Sequence, residues 1–228
     1  VNSINTGFGF LSKVTVPPEK LEELQKNLIR SHAVGVGEFH SEKESRAILL
    51  LRTNVLAKGF SGVRLELGDF LIALLNHKIH PVIPLKGSVG ASGDLAPLAH
   101  LASVVLGEGE VFFEGKRTPS ITALQKVGLS PLTLAPKEGL SLINGTQQMT
   151  AMGLLLLERA NQLADLADLV ATTSLEGVLG TEKAFVNWVQ ETRPYPGQAK
   201  TAELVQSWVS GSEIMKSHET CDRVQDPY

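Results

Sequence analysis

Gly87-Ser88-Val89-Gly90-Ala91-Ser92-Gly93-Asp94-Leu95-Ala96-Pro97-Leu98-Ala99-His100 runs from a glycine-rich turn straight into an Ala/Leu-rich helical pattern. The triplet at its centre, Ala91-Ser92-Gly93, can cyclise on itself. The amide nitrogen of Gly93 attacks the carbonyl carbon of Ala91, and loss of two waters leaves a ring with an exocyclic methylene from Ser92. That product is a strong electrophile, of a kind no side chain supplies. Gly permits the tight turn that attack requires, Ala adds no bulk beside it, and Ser provides the hydroxyl that is eliminated. The competing reading is a flexible loop or a phosphate cradle. A phosphate loop calls for Lys-Ser or Lys-Thr after its last Gly, and Asp94-Leu95 stands there instead.

Outward from this run the pattern is mostly helical. Asp94 to Leu106 reads as a buried helix, low in charge, with Asp94 placed as its cap. Upstream, Pro81, Pro84 and Gly87 break a helix expected over roughly Val63 to His77. Pro17-Pro18 opens another, with Leu21, Leu24 and Leu28 at helical spacing and Glu19, Glu22 and Glu23 in its first turns. Ser41, with Glu44 three residues on, reads as a capping box for a helix ending near Gly59 and Gly62. Downstream, residues 110–117 read as one small hairpin. Gln147 to about Ser174 is the longest helical pattern, with Met149, Met152, Leu156, Leu163, Leu166 and Val170 close to one face. Such a stripe usually packs in a bundle. The expected fold is all-α, an elongated helical bundle with a small β hairpin. Its expected organisation is one region, a loop-bearing segment 1–146 followed by the start of a central bundle over 147–228.

Composition narrows the function classes. The chain has 228 residues, 43% hydrophobic and 20% charged, which suits a globular protein with a substantial core. A net charge of −3 without a Lys/Arg run argues against a nucleic-acid partner. The single cysteine, Cys221, rules out an internal disulfide framework and fits a reducing compartment. No stretch has the apolar length of a membrane span, and Val1-Asn2-Ser3-Ile4-Asn5 lacks the features of a secretory signal, so the expected setting is cytoplasmic. His77 and His80 have a metal-like spacing, but Pro81 follows and no carboxylate or cysteine motif accompanies them, so no metal is expected. His40, His100 and His218 carry no assignment.

The run 87–100 resembles the prosthetic-group loop of the histidine/phenylalanine ammonia-lyase family. Four further stretches are similar to segments of that family, in its order. Asn5-Thr6-Gly7-Phe8-Gly9 resembles its N-terminal loop, and Ser31-His32-Ala33-Val34-Gly35-Val36-Gly37 its substrate-selecting segment. Leu142-Ile143-Asn144-Gly145-Thr146 and Val224-Gln225-Asp226-Pro227-Tyr228 resemble two active-site segments. On these five motifs the chain is identified as a member. The resemblance implies an enzyme that removes ammonia from L-histidine to give urocanate. It also implies a 4-methylidene-imidazol-5-one (MIO) ring made from Ala91, Ser92 and Gly93, and a homotetramer with shared sites. It implies substrate binding by His32, Asn144 and Gln225, catalysis involving Tyr228, and support from Asp94, read as a cap, an aid to ring formation, or both. The Ser31-His32 pair resembles that of histidine-specific members, and an imidazole can bond a substrate imidazole as donor or acceptor. Taken alone, His32 reads as a structural histidine at a helix end, and Asn144 and Gln225 as turn or cap amides.

Two departures stand against the family pattern. A Tyr that removes the β-proton usually precedes the Asn-Thr-Gly-Phe-Gly run, and here Asn2 takes its place, with Ser3 where Gly is usual. A carboxamide is no general base near neutral pH. An engineered exchange that traps substrate, an altered extreme N-terminus and a lineage with changed chemistry are all compatible with Asn2. The second departure is that the chain opens inside a motif and stops at Tyr228. The expectation is the middle of a larger protein, inactive unless a second chain or the remaining segment completes it. The rival readings are a tyrosine or phenylalanine ammonia-lyase or aminomutase, and a non-catalytic helical scaffold.

Overall fold

A computed structural model describes residues 4–222; Asn2, Gln225 and Tyr228 lie outside the described residues. Two compact units divide the chain, Val1–Leu155 and Leu156–Tyr228.

In the first unit, Thr6 and Thr15 form an antiparallel bridge that closes the Asn5–Gly9 segment into a loop, with the Gly7 amide donating to Val14. A single turn at Pro18–Lys20 then leads into α1 (Leu21–His32). Next come β1 (Val36–Phe39), α2 (Glu42–Ala57), α3 (Leu65–Asn76), β2 (His80–Pro81), β3 (Pro84–Lys86) and α4 (Leu95–Val105). β4 (Glu110–Phe113), β5 (Lys116–Pro119), α5 (Ser120–Lys126), α6 (Glu138–Ile143) and α7 (Gln147–Gly177) follow. The expected capping box is present: Ser41 Oγ accepts from the Glu44 amide, and the Glu44 carboxylate accepts from the Ser41 amide at 2.8 Å. The expected hairpin is β4–β5, with Val111 opposite Thr118.

The strands exceed the expected single hairpin. β2 joins β4 as a third strand, and β1 pairs antiparallel with β3. Each added strand is two to four residues long, two of them contain proline, and their partners are distant in sequence, so no periodicity announces them. The fold nonetheless stays mostly helical.

The core lies among α1, α4 and α6, which pack against one another, with α2 and α3 alongside. Ile29, Leu98, Leu101, Leu142 and Ile143 are fully buried there. Each such side chain contributes about 1.5–3 kcal/mol relative to exposure. Three of the described motif segments therefore adjoin helix ends: His32 closes α1, the triplet loop precedes α4, and Asn144 follows α6.

The second unit holds the remainder of α7, a short turn at Glu182–Phe185, α8 (Asn187–Glu191), α9 (Pro196–Val209) and α10 (Glu213–Ser217). The apolar stripe of α7 meets the core at Ala151 and Met152, but Leu156, Leu163, Leu166 and Val170 are each more than half exposed, Leu163 at 67%. No other described element of the second unit covers them. No helix among the described residues is long and apolar enough to cross a membrane.

Candidate active site

The triplet lies in an irregular loop immediately before α4. Ala91 and Ser92 are exposed, whereas Gly93 and Asp94 are buried. Gly90 turns the chain with φ +64°, a left-handed conformation that costs glycine little. At Gly93 the reason for glycine is contact: a Cβ there would stand 2.5 Å from Asn144 Oδ1 and 3.3 Å from the Gly145 amide nitrogen. The Asn144 carboxamide is thus closed directly onto the triplet. Any side chain at 93 would displace it.

Asp94 holds this arrangement, though not as the cap of its own helix. It occupies the position before Leu95, but its side chain makes no bond to the first turn of α4. One carboxylate oxygen instead accepts from Ser88 Oγ at 2.5 Å, and the other from the Met149 amide at 3.0 Å. Met149 is the third residue of α7, so Asp94 satisfies a free N-terminal amide of a different helix. Ser88 Oγ in turn accepts from the Gly90 amide, and the Asp94 amide donates to Gly145 at 2.7 Å. Fully buried and bonded on both sides, Asp94 ties the loop to the α6–α7 turn.

Arg52 supports that turn from beneath, and no local sequence motif marks it for this role. Its guanidinium is 2% exposed, donates to Gln147 Oε1 at 2.7 Å and to the Ser141 carbonyl, and has no carboxylate partner among the described residues. Burial pushes its pKa down to about 10, so it still carries charge at neutral pH. It joins the last turn of α6 to the first residue of α7, on either side of Asn144-Gly145-Thr146. The available signal was its place on the buried face of α2, in register with Ile48, Leu49 and Leu56.

His32 ends α1, half-buried, with Nδ1 2.8 Å from the Leu28 carbonyl. A carbonyl can only accept, so Nδ1 carries a proton, and in the neutral ring the lone pair is left on Nε2. Ser31 Oγ donates to the same carbonyl and lies 3.1 Å from Nδ1, which fixes the ring further. Three residues on, Gly35 packs on Gly87 at the base of the triplet loop: a Cβ on Gly87 would lie 3.2 Å from Gly35 Cα. The structure therefore brings together the triplet, Asp94 and Asn144, with the His32 segment packed against the same loop. His80 is buried in β2 and His77 is exposed. Among the described residues no group of three or more His, Cys, Asp or Glu could hold a metal ion.

Residues 1–228 match the family model for aromatic amino acid lyases. The chain is 52% identical over 225 residues to histidine ammonia-lyase of Myxococcus xanthus, covering 99% of this chain and 44% of that relative. Ergothionase from Treponema denticola has a similar structure, with a TM-score of 0.90 and 33% identity, over 100% of this chain and 45% of that one. Histidine ammonia-lyase from Trypanosoma cruzi gives 0.84 and 41% identity, over 91% of this chain and 40% of that one. The chain spans less than half the length of these relatives. With a match that runs from its first residue to its last, this chain belongs to the aromatic amino acid lyase family.

Proposed function

We propose that this chain is the loop-bearing part of a histidine ammonia-lyase, which releases ammonia from L-histidine to give trans-urocanate. The observation that carries this reading is the closure of the Asn144 carboxamide onto Gly93, beside a fully buried Asp94. The residues fit an MIO ring made from Ala91, Ser92 and Gly93: the loop is tied at both ends, and Gly93 sits where only hydrogen fits. Such a ring supplies an electrophile that bonds the substrate covalently, easing an elimination hampered by a barely acidic β-proton and a poor leaving group.

The chain's own residues supply the surroundings. The N-terminus of α4 starts one residue beyond Asp94 and stabilises negative charge that accumulates at the loop. Asn144 offers a carboxamide to the carboxylate or amino group of the substrate. His32 offers the Nε2 lone pair, which suits the ring N–H of an imidazole and leaves a hydrocarbon ring unbonded. Gln225 is assigned as a second binding amide and Tyr228 as an acid/base hydroxyl. Asn2 holds the usual place of the proton-abstracting Tyr, a departure the reading carries with it. The exposed stripe of α7 supports burial against further polypeptide, in the homotetramer that the family resemblance implies. A cytoplasmic setting accords with the sole cysteine, Cys221.

The test is turnover by the full-length protein, followed as urocanate and ammonia. L-Histidine is expected to be consumed, and Ser92→Ala to lower kcat by at least roughly 10³-fold, the order lost when a covalent catalyst is removed. Deamination of tyrosine or phenylalanine with histidine untouched would overturn the substrate assignment. A protein without lyase activity on any of the three would favour the helical scaffold.

A further inference from the structure

His100 is the last residue of the stretch 87–100, and neither the ring chemistry nor substrate binding uses it. It lies on α4, half-buried, with its imidazole turned toward the segment that carries His32. The Gly35 amide donates to His100 Nε2 at 3.0 Å, across 65 residues of sequence. The contact is tight on all sides. A Cβ on Gly35 would stand 3.0 Å from that nitrogen and 3.1 Å from Cβ and Cγ of Pro84. A Cβ on Gly87 would meet Ala96 Cβ at 3.1 Å and Gly35 Cα at 3.2 Å. Ala96 is one helical turn before His100 on α4, so one helix face touches the base of the triplet loop and grips Gly35. On the other side of Gly35, the Val34 amide donates to the His32 carbonyl at 2.8 Å. The bridge from α4 to His32 is therefore short. Burial lowers the His100 pKa, so the ring stays neutral at neutral pH and keeps a nitrogen free to accept.

We propose that His100 is a positioning residue which, by accepting the Gly35 amide, latches the His32–Gly35 segment to α4 and so sets how well His32 reads the substrate ring. This rests on the assignment of His32 to substrate recognition. A latch of this kind acts on binding more than on the chemical step, because it orders the segment that grips the substrate and leaves the triplet untouched.

Two variants of the full-length protein separate the latch from mere packing. His100→Gln keeps an acceptor at the same reach along the side chain, and His100→Leu fills similar space without one. Leu is expected to speed hydrogen exchange at the Gly35 amide about tenfold and to raise KM for L-histidine by a similar factor. That is the size of effect one ordinary hydrogen bond carries. kcat should change less than about threefold, and Gln should restore both quantities to within about threefold of wild type. Unchanged exchange at Gly35 in His100→Leu would overturn the proposal. So would a Gln variant as impaired as Leu, which would assign the effect to packing. Should wild type ignore L-histidine, the substrate reading fails by itself, and exchange at Gly35 in the two variants still decides the latch.

Discussion

Gly93 leaves room for Asn144 Oδ1 to stand where a side chain would begin, and this contact, beside the bonds of Asp94, brings together two residues 51 positions apart. The consequence is testable with one methyl group. Gly93→Ala forces the carboxamide or the loop to move, at a cost of about 1–3 kcal/mol for overpacking. We expect this variant to fold with a lowered melting temperature and to retain an uncyclised triplet, read by peptide mapping of residues 87–100. A ring formed at the normal extent would show that the contact is incidental. The triplet, Asp94, Asn144 and His32 were all legible as residues from their flanking motifs. Their partners were not. Asp94 reads locally as the cap of α4, and only the folded chain shows its carboxylate on the Met149 amide, 55 residues away. Arg52 looks in sequence like one more helical arginine, because its two acceptors, Ser141 and Gln147, lie about 90 residues downstream.

The short helix α6 carries Asn144 at its C-terminal end, and its N-terminal end is fixed by a buried carboxylate. Glu138 is 1% exposed and accepts from the Arg64 amide, from the Arg64 guanidinium at 2.8 and 3.0 Å, and from the Ala135 amide at 2.7 Å. Burial alone would raise its pKa, but the bonds to Arg64 and Ala135 outweigh it and hold the carboxyl below its usual value of 4.5. A carboxyl with a depressed folded pKa takes up its proton first in the unfolded chain. The stability it confers is thus full above about 4.5 and is lost as pH falls through the lower, folded value. Glu138→Gln should flatten the acid limb of stability measured by urea unfolding and cost about 2 kcal/mol at pH 7, discounted because Arg64 is half exposed. An unchanged acid limb would contradict the assignment. At this level the sequence was informative wherever the signal is local: the Ser41/Glu44 capping box, the proline-led start of α1, and the β4–β5 hairpin. It was silent on β1, β2 and β3, whose pairing is decided by tertiary contacts.

Across the chain, the site is assembled where helix ends meet. α1 delivers His32, α4 follows the triplet, and the α6–α7 turn delivers Asn144, with Asp94 and Arg52 fastening that turn from either side. The long α7 was legible as a helix, but its apolar stripe says only that something covers it, and the exposed Leu156, Leu163, Leu166 and Val170 show that the other described elements of the second unit do not. The chain's span of 44% of a histidine ammonia-lyase at 52% identity agrees with that reading. Under the proposed function, all of this geometry serves one chemical event, the cyclisation of Ala91-Ser92-Gly93. The most direct measurement is the intact mass of the full-length protein, with peptide mapping across Gly87 to His100. Loss of two waters localised to Ala91-Ser92-Gly93 is the expected result. An unmodified triplet in correctly folded protein would contradict the proposed electrophile, and with it the lyase chemistry assigned to the site.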